Sequence, residues 1–355
     1  MTLKNKLRMF DQFRRSKTPA LEDAFYRLIS NTRNSEKNKL EKDKIKHILV
    51  IRNNKRIGNI YFLLPFMRQL RAAYPDARID MMLNEPWQGH VFENLGISQF
   101  YYSHFSVQAG FKFLKMMKEL RKITYDMIVL PRTSAGDTII TAMLAGRNKV
   151  SGYHCRRKFV CVHSTYMEQR RNHAALKPLS VLEGLGNTLV EPLSHHLQFS
   201  KVELDKGQQA SQALRNNQEC LTIAYFRGAR GNKLLSQETW LTILSKFEAA
   251  TKQKIQWVEI LSPDITSPLK VGIKTFKTGD MRHLAAVLKH LDAFICCDTG
   301  PLHLADAAGA SCIGLYTHTN PNTFGVIGEK SINVVDIENL DTQAIQAIGQ
   351  KLNLF

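Results

Sequence analysis

No stretch of this chain approaches the roughly 18 uninterrupted apolar residues that a membrane-spanning helix needs. The first residues, MTLKNKLRMFDQFRRSK, also lack the apolar core of a secretory signal. Cysteine is scarce: six in 355 residues, with no CxxC pair. A disulfide framework is thereby excluded, and thiols packed as small hydrophobes in a reducing compartment fit better. No repeat of 20–50 residues and no low-complexity segment is present. Acidic residues are the other shortage. With 49 Lys and Arg against 31 Asp and Glu, the formal charge is +18, so anionic partners are expected. The expected location is the cytoplasm, with peripheral contact to the inner membrane as an option.

What is present is an ordinary globular composition, 44% apolar, in a chain long enough for two α/β domains. Residues 1–45 stand apart. Through Lys46, this stretch holds 13 Lys or Arg against 6 Asp or Glu, with Leu3, Leu7, Phe10 and Phe13 near helical spacing. Two readings stand open: a solvated basic helix with a charged linker, or a helix lying on an anionic membrane face.

From Lys46 the texture becomes strand alternating with helix. His47–Arg52 (HILVIR) reads as a buried parallel strand, followed by a loop, Asn53–Asn59, and a helix over 60–73. Strands at Ala77–Leu83, Gln99–Tyr102 and Asp126–Pro131 alternate with helices at Pro86–Asn94, Gly110–Lys122 and Asp137–Ala145. After a His- and Arg-rich stretch the alternation restarts, with strands at Leu221–Tyr225, Ile255–Leu261, Ala293–Cys297 and Cys312–Tyr316. Two doubly wound domains in series follow, with units at 46–192 and 193–337, whose ligands bind beyond the carboxyl ends of the strands.

The most informative segment is Phe294–Tyr316, FICCDTGPLHLADAAGASCIGLY. A strand ends at Cys297, Asp298-Thr299-Gly300 makes a tight turn, and Pro301 opens a helix that carries His303. Free N–H groups and the helix dipole favour a phosphate there; Gly300 admits close backbone approach. Thr299 and His303 can donate to a diphosphate. Read blandly, the same segment is a strand–turn–helix with Asp298 as its cap. Elsewhere, His154-Cys155 and Cys161-x-His163 have zinc-compatible residue types. The sequence between them lacks the Gly or Asp of a metal turn and reads in part as a strand, so no metal is expected.

The DTGPLHLA segment resembles the DxGxxHLA signature of glycosyltransferase family 9, the lipopolysaccharide heptosyltransferases. Arg56-Ile57-Gly58-Asn59-Ile60 with YFLLPFMRQLRAAYP is similar to that family's amino-terminal glycine loop and first helix. Tyr125–Tyr153, Asn172–Gly186 and Phe226–Leu241 (with Lys233 and Trp240) follow in matching order, so the similarity spans about residues 46–335. The resemblance implies a GT-B fold, two Rossmann-like doubly wound domains with the active site in the cleft between them. It implies inverting, metal-independent transfer from a nucleotide sugar, ADP-heptose first, to an anionic lipopolysaccharide or lipooligosaccharide core acceptor. No other cofactor is implied. Residues 338–355 are expected to supply a helix crossing back onto the first domain.

On the donor side, Lys233, Asp298, Thr299, Gly300 and His303 would hold the diphosphate, and Asp264, or Glu259 before it, the ribose. On the acceptor side, Gly58, Asn59 and Arg56 would face the sugar, with Arg156 and Arg157 suited to core phosphates or carboxylates. In the family, the residue after the loop glycine is an aspartate thought to act as base, and here it is Asn59. An amide cannot take a proton at neutral pH. Asp137 is the first candidate to replace it, with Glu85 or an acceptor phosphate as alternatives. Two other classes of function remain: a lapsed homologue that binds nucleotide sugar or glycolipid without turnover, and a basic nucleic-acid-binding protein. No RRM, KH or helix-turn-helix signature supports the latter, and no nucleic acid partner is expected.

Overall fold

The computed structural model describes residues 19–31, 40–103, 110–132, 134–151, 160, 163–164, 171–215 and 219–355. The basic start through residue 18, Arg156 and Arg157 lie outside these, as do His154, Cys155 and Cys161 of the stretch weighed for zinc. Helix α1 (Pro19–Ile29) precedes the first strand.

Two six-stranded sheets form the frame, and every strand pair in them is parallel. The first runs β3-β2-β1-β4-β5-β6, built from β1 (His47–Ile51), β2 (Arg78–Leu83), β3 (Ile97–Tyr102), β4 (Thr124–Leu130), β5 (Ala145–Ser151) and β6 (His163–Ser164). The second runs β12-β11-β10-β7-β8-β9. Its strands are β7 (Leu221–Phe226), β8 (Ile255–Ile260), β9 (Lys274–Phe276), β10 (Ala293–Cys297), β11 (Cys312–Leu315) and β12 (Ser331–Val334). Both orders are the doubly wound pattern, and the strand order reverses between β1 and β4 in one sheet and between β7 and β10 in the other. The central strands are the apolar ones: HILVI and AFICC bury both faces, which leaves helix-covered parallel sheets as their stable setting.

Helices α2 (Ile57–Tyr61) and α3 (Leu64–Ala73) replace the single helix expected over 60–73. Pro65 stands in the opening turn of α3, where its missing N–H costs no helical bond. On one face of the first sheet lie α4 (Gly110–Leu120) and α5 (Ala135–Met143), sharing a core with Leu49, Ile51, Tyr125 and Ile128. Helix α1 packs outside α5 through buried Tyr26. The other face is covered by α3 and α6 (Leu179–Gly184).

In the second half, α7 (Lys201–Leu214) opens on a reciprocal cap between Ser200 and Glu203 and packs on α9 (Met281–Lys289). Helix α8 (Gln237–Ala250) covers the opposite side. Beyond β10 comes α10 (Gly300–Ala308), closed by Gly309 in the left-handed region at φ +79°. A short helix, α11 (Pro321–Phe324), precedes β12.

The largest apolar cluster is continuous from one half to the other, joining Ile60, Leu64 and Phe66 to Leu284, Leu302 and Tyr316. Arg282 on α9 ties the halves further. It donates to the carbonyls of His90 (2.8 Å) and Gln198 (2.7 Å) and pairs with Glu203 and Glu93.

The carboxy-terminal helix, α12 (Thr342–Lys351), does not cross to the first half. It packs on α8, where buried Ile345, Ile348, Leu352 and Leu354 share a core with Trp240, Phe247 and Ala250. Its apolar stripe is satisfied by the outer face of the second sheet.

Candidate active site

Each sheet delivers its site residues from the carboxyl ends of the strands at its switch point. In the second half these are the loops after β7 and β10. Asp298 follows β10 directly, and its backbone N–H donates to Leu315 O. One carboxylate oxygen, Oδ1, lies 3.0 Å from His303 Nε2; Lys233 Nζ donates to Oδ2 and to the Asp298 carbonyl at 3.1 Å. Burial alone would raise this carboxyl, but the hydrogen bonds from His303 and Lys233 hold it far below the usual range. Asp298 is thus an anion tied to two donors.

His303, on the first turn of α10, is buried against Phe62, with ring centroids 4.5 Å apart. With Nε2–H directed at Asp298, Nδ1 is a buried acceptor that meets no partner among the described residues. Thr299 is extended (φ −140°) and leaves the helix N-terminus without a side-chain cap; its hydroxyl lies 3.2 Å from Cys296 Sγ. The first N–H groups of α10 therefore remain available to an anion.

The loop after β1 faces this turn at close range. A Cβ on Gly58 would stand 2.7 Å from His303 Cδ2, and one on Gly300 would stand 2.6 Å from Ile57. Both glycines are required by approach of the two halves, not by φ.

Around Gly58 the first half gathers amides. Asn54 Oδ1 accepts from the Arg56 N–H (2.8 Å) and from Asn59 Nδ2 (3.3 Å). That bond assigns Asn59 as donor toward the loop, with its Oδ1 left to accept. Asn84 Nδ2 donates to Asn53 Oδ1, while Gln88 donates to the Asn54 carbonyl (2.6 Å) and accepts from the Asn84 N–H (2.9 Å). Asn84 Oδ1 is buried and meets no partner among the described residues. Arg56 itself is exposed.

Asp137 anchors this network from beneath. Its carboxylate is fully buried at the start of α5, accepting from the Asn53 N–H at 2.7 Å and facing Arg52 Nη1 at 3.4 Å. Burial pushes the carboxyl upward against the pull of Arg52 and the Asn53 N–H. With no exposed oxygen, Asp137 cannot meet a substrate hydroxyl in this conformation, and the geometry assigns it a positioning role in place of the expected base. Glu85 is partly exposed at the start of the 3-10 turn Pro86–Phe92, where its backbone N–H donates to Gln88 Oε1 at 3.2 Å. Asp298 stands one residue from the contact between the halves, bonded to the His303 whose ring meets Gly58.

Glu259, weighed as a ribose ligand, is instead fully buried and accepts from Tyr225 Oη (2.8 Å), Arg227 Nε (2.5 Å) and the Leu269 N–H (2.6 Å). It knots the loops after β7 and β8. Asp264 is exposed in the turn beyond β8, between the bridged residues Ser262 and Ile265. The structure thus unites Gly58, Asn59, Asp298, Thr299, Gly300, His303 and Lys233, while Asp264 lies out in a loop and Arg156 and Arg157 fall outside the described residues. Asn53, Asn54, Asn84 and Gln88 were not foreseen; the Asn-Asn pair right after a buried strand was their visible trace. Among the described residues, no group of three His, Cys, Asp or Glu side chains converges as a metal site would require.

Comparison with known proteins agrees with this geometry. Residues 277–352, which include the Asp298–His303 turn, match the profile of glycosyltransferase family 9 (heptosyltransferase). No curated protein sequence matches the chain. Among solved structures, a family 9 glycosyl transferase from Veillonella parvula superposes with a TM-score of 0.72 at 18% identity, covering 89% of this chain and 91% of that one. The Escherichia coli ADP-heptose lps heptosyltransferase II gives 0.66 at 15% identity, covering 87% and 98%. The E. coli heptosyltransferase WaaC with ADP gives 0.65 at 15%, covering 86% and 99%. The resemblance read from the sequence stands, and the fold is the two-sheet GT-B architecture of the heptosyltransferases.

Proposed function

We propose that this chain is an inverting glycosyltransferase that moves a heptose from ADP-heptose to an anionic lipopolysaccharide or lipooligosaccharide core acceptor at the cytoplasmic face of the inner membrane. The observation that carries the proposal is the Lys233–Asp298–His303 cluster at the uncapped start of α10, facing Gly58 and Asn59 across the contact between the halves. Donor diphosphate enters against the α10 N–H groups and Lys233, which neutralise the charge that grows as the anomeric C–O bond breaks. These donors supply the positive charge that metal-independent transfer requires. The acceptor hydroxyl attacks from the opposite face, the new glycosidic bond forms with inversion, and ADP leaves.

The hydroxyl proton is the distinctive step. Asn59 offers an amide oxygen that orients the hydroxyl, and an anionic phosphate or carboxylate of the acceptor itself takes the proton. Arg56, exposed beside Asn59, suits such an anion. The same amide cluster favours one second reading, a lapsed transferase that binds donor without turnover. Mass-spectrometric assay of core acceptors with ADP-, UDP- and GDP-sugars separates the two. The active reading expects transfer by wild type from ADP-heptose and an equal or faster rate from Asn59→Asp. Transfer by Asn59→Asp alone establishes the lapsed reading, and transfer by neither protein ends both forms of catalysis.

A further inference from the structure

Among the described residues, most exposed large apolar side chains stand alone, as Val190, Val202, Leu234, Val271 and Val335 do. Single residues of this kind are ordinary. Two pairs are different. On α4, Phe111 is 89% exposed and Leu114 60%; on α1, Phe25 is 47% exposed and Leu28 85%. In each pair the residues are three apart, so both project from one side of a helix. Both helices cover the same face of the first sheet, α4 directly and α1 from outside α5. Helix α4 already satisfies the sheet with its other side, through Met117 and Leu120. Phe111 and Leu114 are therefore surplus to the core.

The charge around the α4 pair decides what it meets. At 100° per residue, Lys115 and Lys118 fall on the same outer side as Phe111 and Leu114, and both are exposed. The acid among them, Glu119, is neutralised by Lys122 at 2.7 Å. An aromatic and a leucine flanked by Lys115 and Lys118 match an anionic lipid surface, where apolar side chains reach the acyl boundary and ammonium groups meet headgroups. A second copy of this chain would bring the same lysines into mutual repulsion.

We propose that the outer side of α4, extended by α1, is a docking face for an anionic phospholipid bilayer. It deepens the membrane-surface reading of the acceptor and rests on that reading, because it places the membrane against the half that would receive the glycolipid. The test is sedimentation of the full chain with phosphatidylglycerol–phosphatidylethanolamine vesicles and with phosphatidylcholine vesicles, alongside thermal shift by ADP-heptose. Wild type should partition to the anionic vesicles only. Phe111→Ser/Leu114→Ser should lower that partitioning at least tenfold, and Lys115→Gln and Lys118→Gln about fivefold each, with the melting temperature and ADP-heptose shift unchanged. Wild-type partitioning by the Phe111→Ser/Leu114→Ser variant overturns the proposal, as does a dimer that this variant dissociates. An absent ADP-heptose shift with lipid binding intact would instead count against the donor reading alone.

Discussion

Replacing Asp137 by Asn separates a buried anchor from a catalytic base. The substitution preserves shape and leaves one oxygen for the Asn53 N–H, which now sits 2.7 Å from Oδ1. It also removes the charge that faces Arg52, itself buried, at 3.4 Å. Stranding one member of a buried pair costs about 3–5 kcal/mol. The long Arg52 contact argues for the lower end, about 3 kcal/mol, or roughly 150-fold in the unfolding equilibrium. Urea denaturation followed by circular dichroism measures it. Arg52, left without its counter-charge, should disturb the adjoining Asn53 loop and slow transfer while the shape of the pH–rate profile stays as in wild type. A base behaves oppositely: stability is kept, transfer vanishes, and the acidic limb of the profile is lost. Full stability with abolished transfer in Asp137→Asn would refute the anchor assignment.

Gly58→Ala forces a methyl to within 2.7 Å of a His303 ring that Asp298 and Phe62 hold in place. Overpacking of this kind costs about 1–3 kcal/mol, and the expected outcome is a larger loss in kcat than in donor affinity; unchanged kinetics would remove the close-contact argument. His173 is held neutral: burial lowers its affinity for a proton, although Gly325 O accepts from Nε2 at 2.9 Å, while Nδ1 accepts from the Ala175 N–H at 3.2 Å. The folded value lies below the unfolded one, so this stability is complete above about pH 6.5 and is lost as pH falls through the folded value. Urea midpoints measured from about pH 8 to 5 should decline on the acid side, and His173→Gln should flatten that decline.

The donor half was legible because its signals are local. Asp298, Thr299, Gly300, Pro301 and His303 are nearly contiguous, and a buried strand followed by a turn and a proline-opened helix declares its geometry in one line of sequence. The acceptor half is assembled across strands. Asn53 and Asn84 meet only because β1 and β2 pair in register, so that the Arg52 N–H reaches Met82 O. Asp137 reads from the sequence as a candidate base because nothing local distinguishes an exposed first-turn carboxylate from one buried against Arg52 and the Asn53 N–H. Strand β5, AGRNKVS, escaped for a related reason. Its Lys149 is fully buried with Nζ donating to Thr141 O at 2.7 Å, and Asn148 pairs with the backbone of Leu40. Polar residues satisfied by distant backbone do not read as a sheet interior. The carboxy-terminal stripe of Ile345 and Ile348 announced a buried face but not which sheet would receive it.

Calorimetric titration of ADP-heptose into wild type and Lys233→Ala tests the donor site most directly. Lys233 bonds Asp298 before any ligand arrives and stands at the uncapped start of α10. A charge-assisted bond to phosphate is worth about 1.5–3 kcal/mol, so Lys233→Ala should bind ADP-heptose roughly 10- to 150-fold more weakly, with the fold intact by circular dichroism. Equal affinity in the two proteins, or no heat from ADP-heptose or any other nucleotide sugar with wild type, would contradict the placement of the donor at this turn.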